Sequence, residues 1–166
     1  MTHLECVVDV LDYLRQPINA AARNERLANK PLAELYPYYG ATGLVGYIDD
    51  YIFDGRYILL GEDGAPFFDT NSEKAYINSG KTWVNNHAHI LEAKIYTDYL
   101  CNALNAIHYN DYVTGTTRLK LTQADMRRIK MPIPPLAEQY RIVKVIETAF
   151  HQLNEIAANL SYQGSQ

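Results

Sequence analysis

Residues 136–160, "LAEQYRIVKVIETAFHQLNEIAANL", set the tightest limit on what this chain can fold into. Apolar side chains recur at Ile142, Ile146, Ala149, Leu153, Ile156 and Leu160, at spacings of four, three, four, three and four. That is a heptad seam, the pattern of a helix that packs on another helix. Val143, Val145 and Phe150 widen it. Roughly 25 residues at about 1.5 Å each make a rod of about 37 Å, and the prolines of "PIPP" suit its start. A rod of that length must bury its seam, and the spacing favours a helical partner outside the domain. The expected organisation is a domain over residues 1–133 and a helix over 134–166.

The region from Tyr36 to about Ile95 follows a different period. "GLVGYI", "YIF", "RYILLG", "PFFDT" and "AYINSG" are short β-branched and aromatic runs, separated by turn signals such as "FDGR", "EDGA" and "NSGK". They predict a twisted sheet or partial barrel. Upstream, "ECVVDVLDYL" places Val7, Val8, Leu11 and Leu14 at helix-like spacing, and "INAAARNERLANK" suits a short helix or a polar loop. Tyr96, Leu100, Leu104 and Ile107 mark an amphipathic helix packed on the sheet. "VTGTTRLKL" returns to strand around a turn at Thr114–Thr116, and "TQADMRRIKM" opens a basic helix with a Thr122-x-x-Asp125 cap. The predicted class is α+β, followed by a long coiled-coil-type helix.

Net charge is −4, which argues against nucleic acid until its distribution is considered. Residues 31–114 hold four basic side chains against eleven acidic ones. Residues 115–144 hold seven (Arg118, Lys120, Arg127, Arg128, Lys130, Arg141 and Lys144) against Asp125 and Glu138 alone. Such a stretch is either a solvated helix face or a surface that meets phosphate. Cys6 and Cys101 stand 95 positions apart with no C-x-x-C, as expected of two reduced thiols in a cytoplasmic protein. No membrane span or secretory leader is expected, and no phosphate loop or nucleophile elbow suggests an enzyme.

Several stretches, in order, resemble one half of a type I restriction–modification specificity subunit. They are "LDYLRQPINAAARNERL", "YPYYGATGLVGYIDDYIFDGRYILLGEDGA", "INSGKTWVNNHAHIL" and "GTTRLKLTQADMRRIKMPIPPLAEQYRIV". The most telling parts are Tyr38–Gly43, Phe53–Gly55 and the Pro134–Gln139 start of the long helix. The resemblance implies a target-recognition domain that docks in the DNA major groove, followed by a spacer helix. It also implies that the chain does no chemistry. It would position a type I methyltransferase subunit, which binds S-adenosylmethionine, and indirectly a motor and nuclease subunit, while needing no cofactor itself. Family members carry two such units in tandem with their helices antiparallel. A chain of about half that length is expected to pair as a homodimer through its helix and to read a bipartite, palindromic site on double-stranded DNA. The alternative is a non-catalytic homodimeric protein-interaction module built on the same helix.

Candidate DNA contacts follow from what phosphates and bases require. Thr116, Thr117, Arg118 and Lys120 offer hydroxyls and cations beside a glycine turn. Lys81, Asn85, Asn86 and His87 offer a phosphate contact and amides suited to adenine. Tyr39 and Thr42 belong to the "YGATG" turn, where a scaffold role competes with a groove contact. The alternatives are a strand turn with an exposed Arg for the first group, an Asn-rich turn that satisfies its own backbone for the second, and core aromatics beside turn glycines for the third. His87 and His89 alternate as if on one strand face but lack a third metal ligand at recognisable spacing, so no metal site is expected.

Overall fold

The computed structural model describes residues 1–163, with side chains through Leu160. The chain divides into two compact units, Met1–Pro132 and Ile133–Gln166. The first unit carries β1 (Thr2–His3), β2 (Val8–Val10), α1 (Ala20–Leu27), β3 (Tyr36–Gly40), β4 (Gly43–Ile48), β5 (Phe53–Gly61), β6 (Ala75–Val84) and β7 (Ala88–Ala93). These are followed by α2 (Thr97–Ala106), β8 (Val113–Thr114), β9 (Lys120–Leu121), α3 (Gln123–Arg127) and β10 (Lys130–Met131). The second unit is α4, Leu136–Gln163. Among the described residues no helix is long and apolar enough to cross a membrane.

Six strands form the main sheet in the order β2-β7-β5-β6-β3-β4, antiparallel except where β3 runs parallel to β6. Ile58, Leu59 and Leu60 at its centre are fully buried, so this part of β5 is covered on both faces. On one side α2 contributes Leu100 and Leu104, both fully buried. Asn105 fixes that helix to the start of β6: its side-chain oxygen accepts from the Lys74 and Ala75 amides at 2.7 and 3.0 Å, and its amide donates to the Ala75 carbonyl at 2.7 Å. Another cluster joins Phe53, Leu59, Val84, Ala88 and Ile90.

The register shows that the sheet curls. Phe53 pairs with Thr82, and Gly61 pairs with Ala88. In a flat sheet Val84 would lie about 30 Å from Ala88. Only Asn85, Asn86 and His87 link them, a span of at most about 15 Å. The β5–β6 ladder must therefore bend, and Gly55 lies opposite Gly80 (φ +76°), a backbone conformation that glycine tolerates. The bend folds β3 back over the sheet. The Asn85 amide donates to the Tyr39 carbonyl at 3.0 Å, the Tyr76 hydroxyl donates to the Gly40 carbonyl, and the Tyr39 and Tyr76 rings lie 5.8 Å apart. This is the twisted, partly closed sheet that the turn spacing predicts.

Two local expectations need correction. Residues 8–10 form a strand, not a helix: Val8 and Val10 pair with Ala93 and Leu91 of β7. Valine suits a half-buried pleat, and Leu14 of the supposed apolar helix face remains exposed. "PFFDT" is a turn-rich loop in which Phe67 is buried, its ring 5.0 Å from that of Tyr109. The undecided segment at residues 18–30 is helical over α1, where the Asn19 side chain accepts from the Ala22 amide at 2.8 Å. This helix buries no residue fully. Instead Arg23 and Arg26 stand over the rings of Tyr38 and Trp83 at 4.7 and 5.0 Å, and Arg26 bonds Asp49 at 2.6 Å.

A buried polar node ties the lead-in to the sheet and to the segment beyond α2. Asp12 accepts from the His89 ring at 2.6 Å, the Ile90 amide at 2.9 Å and the Gln123 side chain at 3.1 Å. The other His89 ring nitrogen faces the Leu121 carbonyl at 2.9 Å, so a ring carrying both protons satisfies both bonds. Burial alone would raise the Asp12 carboxyl, but the bonds from His89, Ile90 and Gln123 outweigh it and hold the group below its ordinary value of 3.8. A carboxylate held down in this way contributes its full stability above pH 3.8 and loses it as pH falls through its lower folded value. Replacing Asp12 with alanine strands His89, and urea unfolding at pH 7 is expected to show a loss of roughly 3–5 kcal/mol. The gap between wild type and variant should narrow in acid as pH falls below 3.8. An unchanged midpoint at neutral pH contradicts this account of the node.

Candidate nucleic-acid interface

The curl brings two distant loops to one rim. The 85–87 turn crosses between β6 and β7, and the 115–119 loop connects β8 to β9. Residues 62–64 lie between them as a backbone splice. The Glu62 amide donates to the His87 carbonyl at 2.8 Å, the Gly64 amide to the Leu119 carbonyl at 2.9 Å, and the Leu121 amide to the Glu62 carbonyl at 2.7 Å. Asp63 and Lys120 also form an isolated antiparallel bridge. The loop itself is shaped by Gly115 at φ +98°, where a Cβ would come within 2.3 Å of the Arg118 carbonyl oxygen.

Side chains follow the same splice. One Asp63 carboxylate oxygen lies 2.7 Å from His87 Nδ1 and 2.8 Å from an Arg118 terminal nitrogen. Glu62 takes Arg15 at 2.6 Å and Lys120 at 3.5 Å. Arg15 continues inward, donating to the Ala88 carbonyl at 3.0 Å and approaching the Asp12 carboxylate at 3.4 Å. Arg118 and Lys120 remain exposed (side chains 62% and 51%), whereas Asp63 and Glu62 are largely covered at 20% and 15%. The rim therefore presents cations outward over carboxylates held beneath them.

This arrangement revises the charge picture drawn from residues 115–144. Arg118 and Lys120 are paired with Asp63 and Glu62, Arg128 with Asp125, and Arg141 with Glu138. Four of the seven cations of that stretch are thus paired, two with acids inside it and two with the acidic middle of the chain. Exposed pairs of this kind contribute at most about 1 kcal/mol, so a cation such as Lys120 can exchange its carboxylate for a phosphate at little cost.

The expected contact residues fall into four groups. Asn86, His87, Thr116, Thr117 and Arg118 lie on the two spliced loops and Lys120 opens β9 beside them, His87 half-exposed and the others exposed. Thr42 is exposed at the β3–β4 turn. Tyr39 and Asn85 are committed within the domain: Tyr39 packs on the Phe53 cluster, and the Asn85 side chain accepts from the His87 amide at 2.8 Å. Lys81 stands over the Tyr51 ring at 4.6 Å, opposite Asp54 in the ladder. His87 and His89 do not share a role. His89 belongs to the buried node and His87 to the rim.

Asp12, Glu62 and His89 bring three ligand-type atoms within 4.8 Å of one another. Arg15 lies against both carboxylates and Lys120 against Glu62. Protein cations thus supply the countercharge that a metal would bring, and the trio is accounted for as an ion-pair node.

On the second unit, Ile142 and Ile146 are half-buried, whereas Ala149, Leu153, Ile156 and Leu160 are exposed. Val145 and Phe150 are exposed as well, so the uncovered apolar face is broader than the heptad seam. The helix start forms as its prolines predict, with the Glu138 and Gln139 amides donating to the Pro135 carbonyl.

The family model described as "Type I restriction modification DNA specificity domain" matches residues 19–162. The chain belongs to the type I restriction–modification DNA specificity family. Among the specificity subunits it resembles is S.HindORF215P of Haemophilus influenzae, a type I restriction enzyme specificity subunit, 30% identical over 146 residues. That match covers 87% of this chain and 35% of the relative. The EcoprrI specificity subunit of Escherichia coli is 23% identical over 123 residues, 73% of this chain and 29% of that protein. The chain therefore spans about a third of the length of these curated relatives. The solved S subunit of the M. genitalium type I restriction–modification system has the same fold, with a TM-score of 0.69 at 13% identity over 95% of this chain and 40% of that one. A second structure, from work on complex assembly and conformational transition of the type I system, aligns with a TM-score of 0.61 at 14% identity, covering 93% and 39%.

Within this specificity domain, sequence analysis missed Asp12, Arg15, Glu62 and Asp63. Glu62 and Asp63 carry the "EDG" signature of a turn and were assigned only that role. Asp12 and His89 are 77 positions apart, with no local signal to link them. For the loop, replacing Gly115 with alanine is expected to cost roughly 1–3 kcal/mol in urea unfolding, since the conformation and the Cβ contact both oppose it. An unaltered unfolding curve means that the loop does not depend on this backbone.

Proposed function

We propose that this chain recognises DNA sequence without catalysing a reaction, and directs a methyltransferase to the site. The observation that carries this reading is the convergence of residues 85–87 and 115–120 on one rim, in a chain of the DNA specificity family. Lys120 and the threonine hydroxyls suit phosphate contacts, which fix position. Arg118, His87 and Asn86 suit the edges of bases, which fix sequence. The chain itself uses no cofactor, and S-adenosylmethionine belongs to the methyltransferase subunit. A motor and nuclease subunit would join through that assembly, which acts in the cytoplasm where its DNA lies. The interaction-module alternative accounts for the helix but gives the rim no task.

The seam on α4 is the proposed partner surface. Leu153, Ile156 and Leu160 are 59%, 55% and 64% exposed, and a second helix of the same kind laid antiparallel would cover them. Two copies related by a two-fold axis would place two rims on inverted half-sites, giving a gapped, palindromic target.

Incubation of the chain and its methyltransferase with a random-sequence duplex pool is expected to enrich a short, gapped motif. Recovered DNA that matches the input contradicts sequence recognition. Light scattering should give a dimer of about twice 18.9 kDa for the wild type and a folded monomer for Leu153→Glu. A variant that remains dimeric overturns the seam assignment.

A further inference from the structure

We propose that Asp63 is a positioning residue for base readout, fixing which hydrogen-bond groups His87 and Arg118 offer to DNA. The inference rests on the DNA-recognition reading above and adds the chemistry that the rim would select.

The two side chains meet on one carboxylate oxygen: His87 Nδ1 is 2.7 Å from Asp63 Oδ1, an Arg118 terminal nitrogen is 2.8 Å from it, and those nitrogens are 3.4 Å apart. An ionised carboxylate only accepts hydrogen bonds. At 2.7 Å from it, His87 Nδ1 carries the proton and donates. In the neutral ring, Nε2 is then the acceptor. Among the described residues Nε2 has no partner in the structure's hydrogen bonds. Because Nδ1 holds a proton, the nearby Arg118 nitrogen bonds the carboxylate and not the ring. Arg118 spends one terminal nitrogen on Asp63, and its remaining donors have no hydrogen-bond acceptor among the described residues.

With the His87 ring neutral, the rim places an acceptor beside a cationic fork of donors. In the major groove, an outward acceptor matches an exocyclic amino group, adenine N6 or cytosine N4, and a guanidinium fork matches guanine N7 and O6. Adjacent groups of opposite polarity read adjacent bases, so the rim fits a step that combines guanine with adenine or cytosine.

Asp63 is built for holding. Its carboxylate is 20% exposed, its neighbours Glu62 and Gly64 are bonded to both loops, and it bridges Lys120 through its own backbone. Its segment is bonded to both loops, whereas a carboxylate on a free loop would merely compete with DNA for Arg118. The two roles predict opposite effects of neutralising it.

The test is selection from a random-sequence duplex pool by the chain with its methyltransferase, comparing wild type, Asp63→Asn and His87→Ala. Affinity is then measured for the enriched duplex and for a scrambled one. With Asp63→Asn, affinity for the enriched duplex should fall about tenfold, while scrambled-duplex affinity changes little. The same motif position should lose its preference with Asp63→Asn and with His87→Ala, a coincidence that general loosening of the loop would not produce. Asp63→Glu, which keeps the charge, should restore part of the preference. If Asp63→Asn enriches the same motif with equal or tighter binding, Asp63 competes with DNA or stands aside, and the inference is overturned while DNA recognition stands. If the wild type enriches nothing, DNA recognition fails and the inference fails with it. Should Asp63→Asn not fold, His87→Ala decides alone, and an unchanged motif in that variant also overturns the inference.

Discussion

Asp12 is buried, and the donors it accepts from lie in parts of the chain that are distant in sequence. His89 and the Ile90 amide belong to β7, and Gln123 opens α3. Through the other His89 ring nitrogen the same contact reaches the carbonyl of Leu121, at the end of the 115–119 loop. Arg15, next in line, carries it to Glu62 and hence to Lys120. A charge this deep is stable only while every partner is present, so it fixes the lead-in, the central strands and the loop in one arrangement. The rim inherits its shape from that arrangement. Loops usually move and exchange conformations, but these two end in groups that cannot shift without exposing a buried ion.

Above the node the electrostatics change character. The carboxylates of Glu62 and Asp63 are largely covered, and the cations they hold are largely exposed. Such a layer can keep Arg118 and Lys120 extended in the absence of DNA and lower the ordering cost of meeting it. On the proposed reading, it also lets an acidic chain present a surface to a polyanion. Net charge governs long-range attraction, but the groups that meet the ligand are the outermost ones. The expected contacts on the wider sheet lack this support. Lys81 rests on an aromatic ring, and Tyr39 is used up in closing the curl.

The parts legible in the sequence are those whose signals are local. The cap at Thr122, whose side chain accepts from the Asp125 amide, was visible as a four-residue pattern, and so were the long helix and the strand runs. Leu100 and Leu104 were correctly placed on the buried face of a helix. The curl was visible only in part: the turn spacing suggested a barrel, but the bend follows from which strands pair. The β2 segment misled because two valines, a leucine pair and a short apolar run fit either period, and an open sheet edge decided the matter. The carboxylates under the rim were invisible. "EDG" has the composition of an ordinary turn, and only the fold brings residues 62–63 against residues 87 and 118–120.

The central claim is that the 85–87 and 115–120 loops act as one DNA-facing surface. Hydrogen–deuterium exchange of the chain with its methyltransferase, with and without the enriched duplex, tests it most directly. Protection should rise together in both loops and leave the Tyr51 and Lys81 region unchanged. Protection at only one loop, or at Tyr51 and Lys81 in place of both, would contradict it.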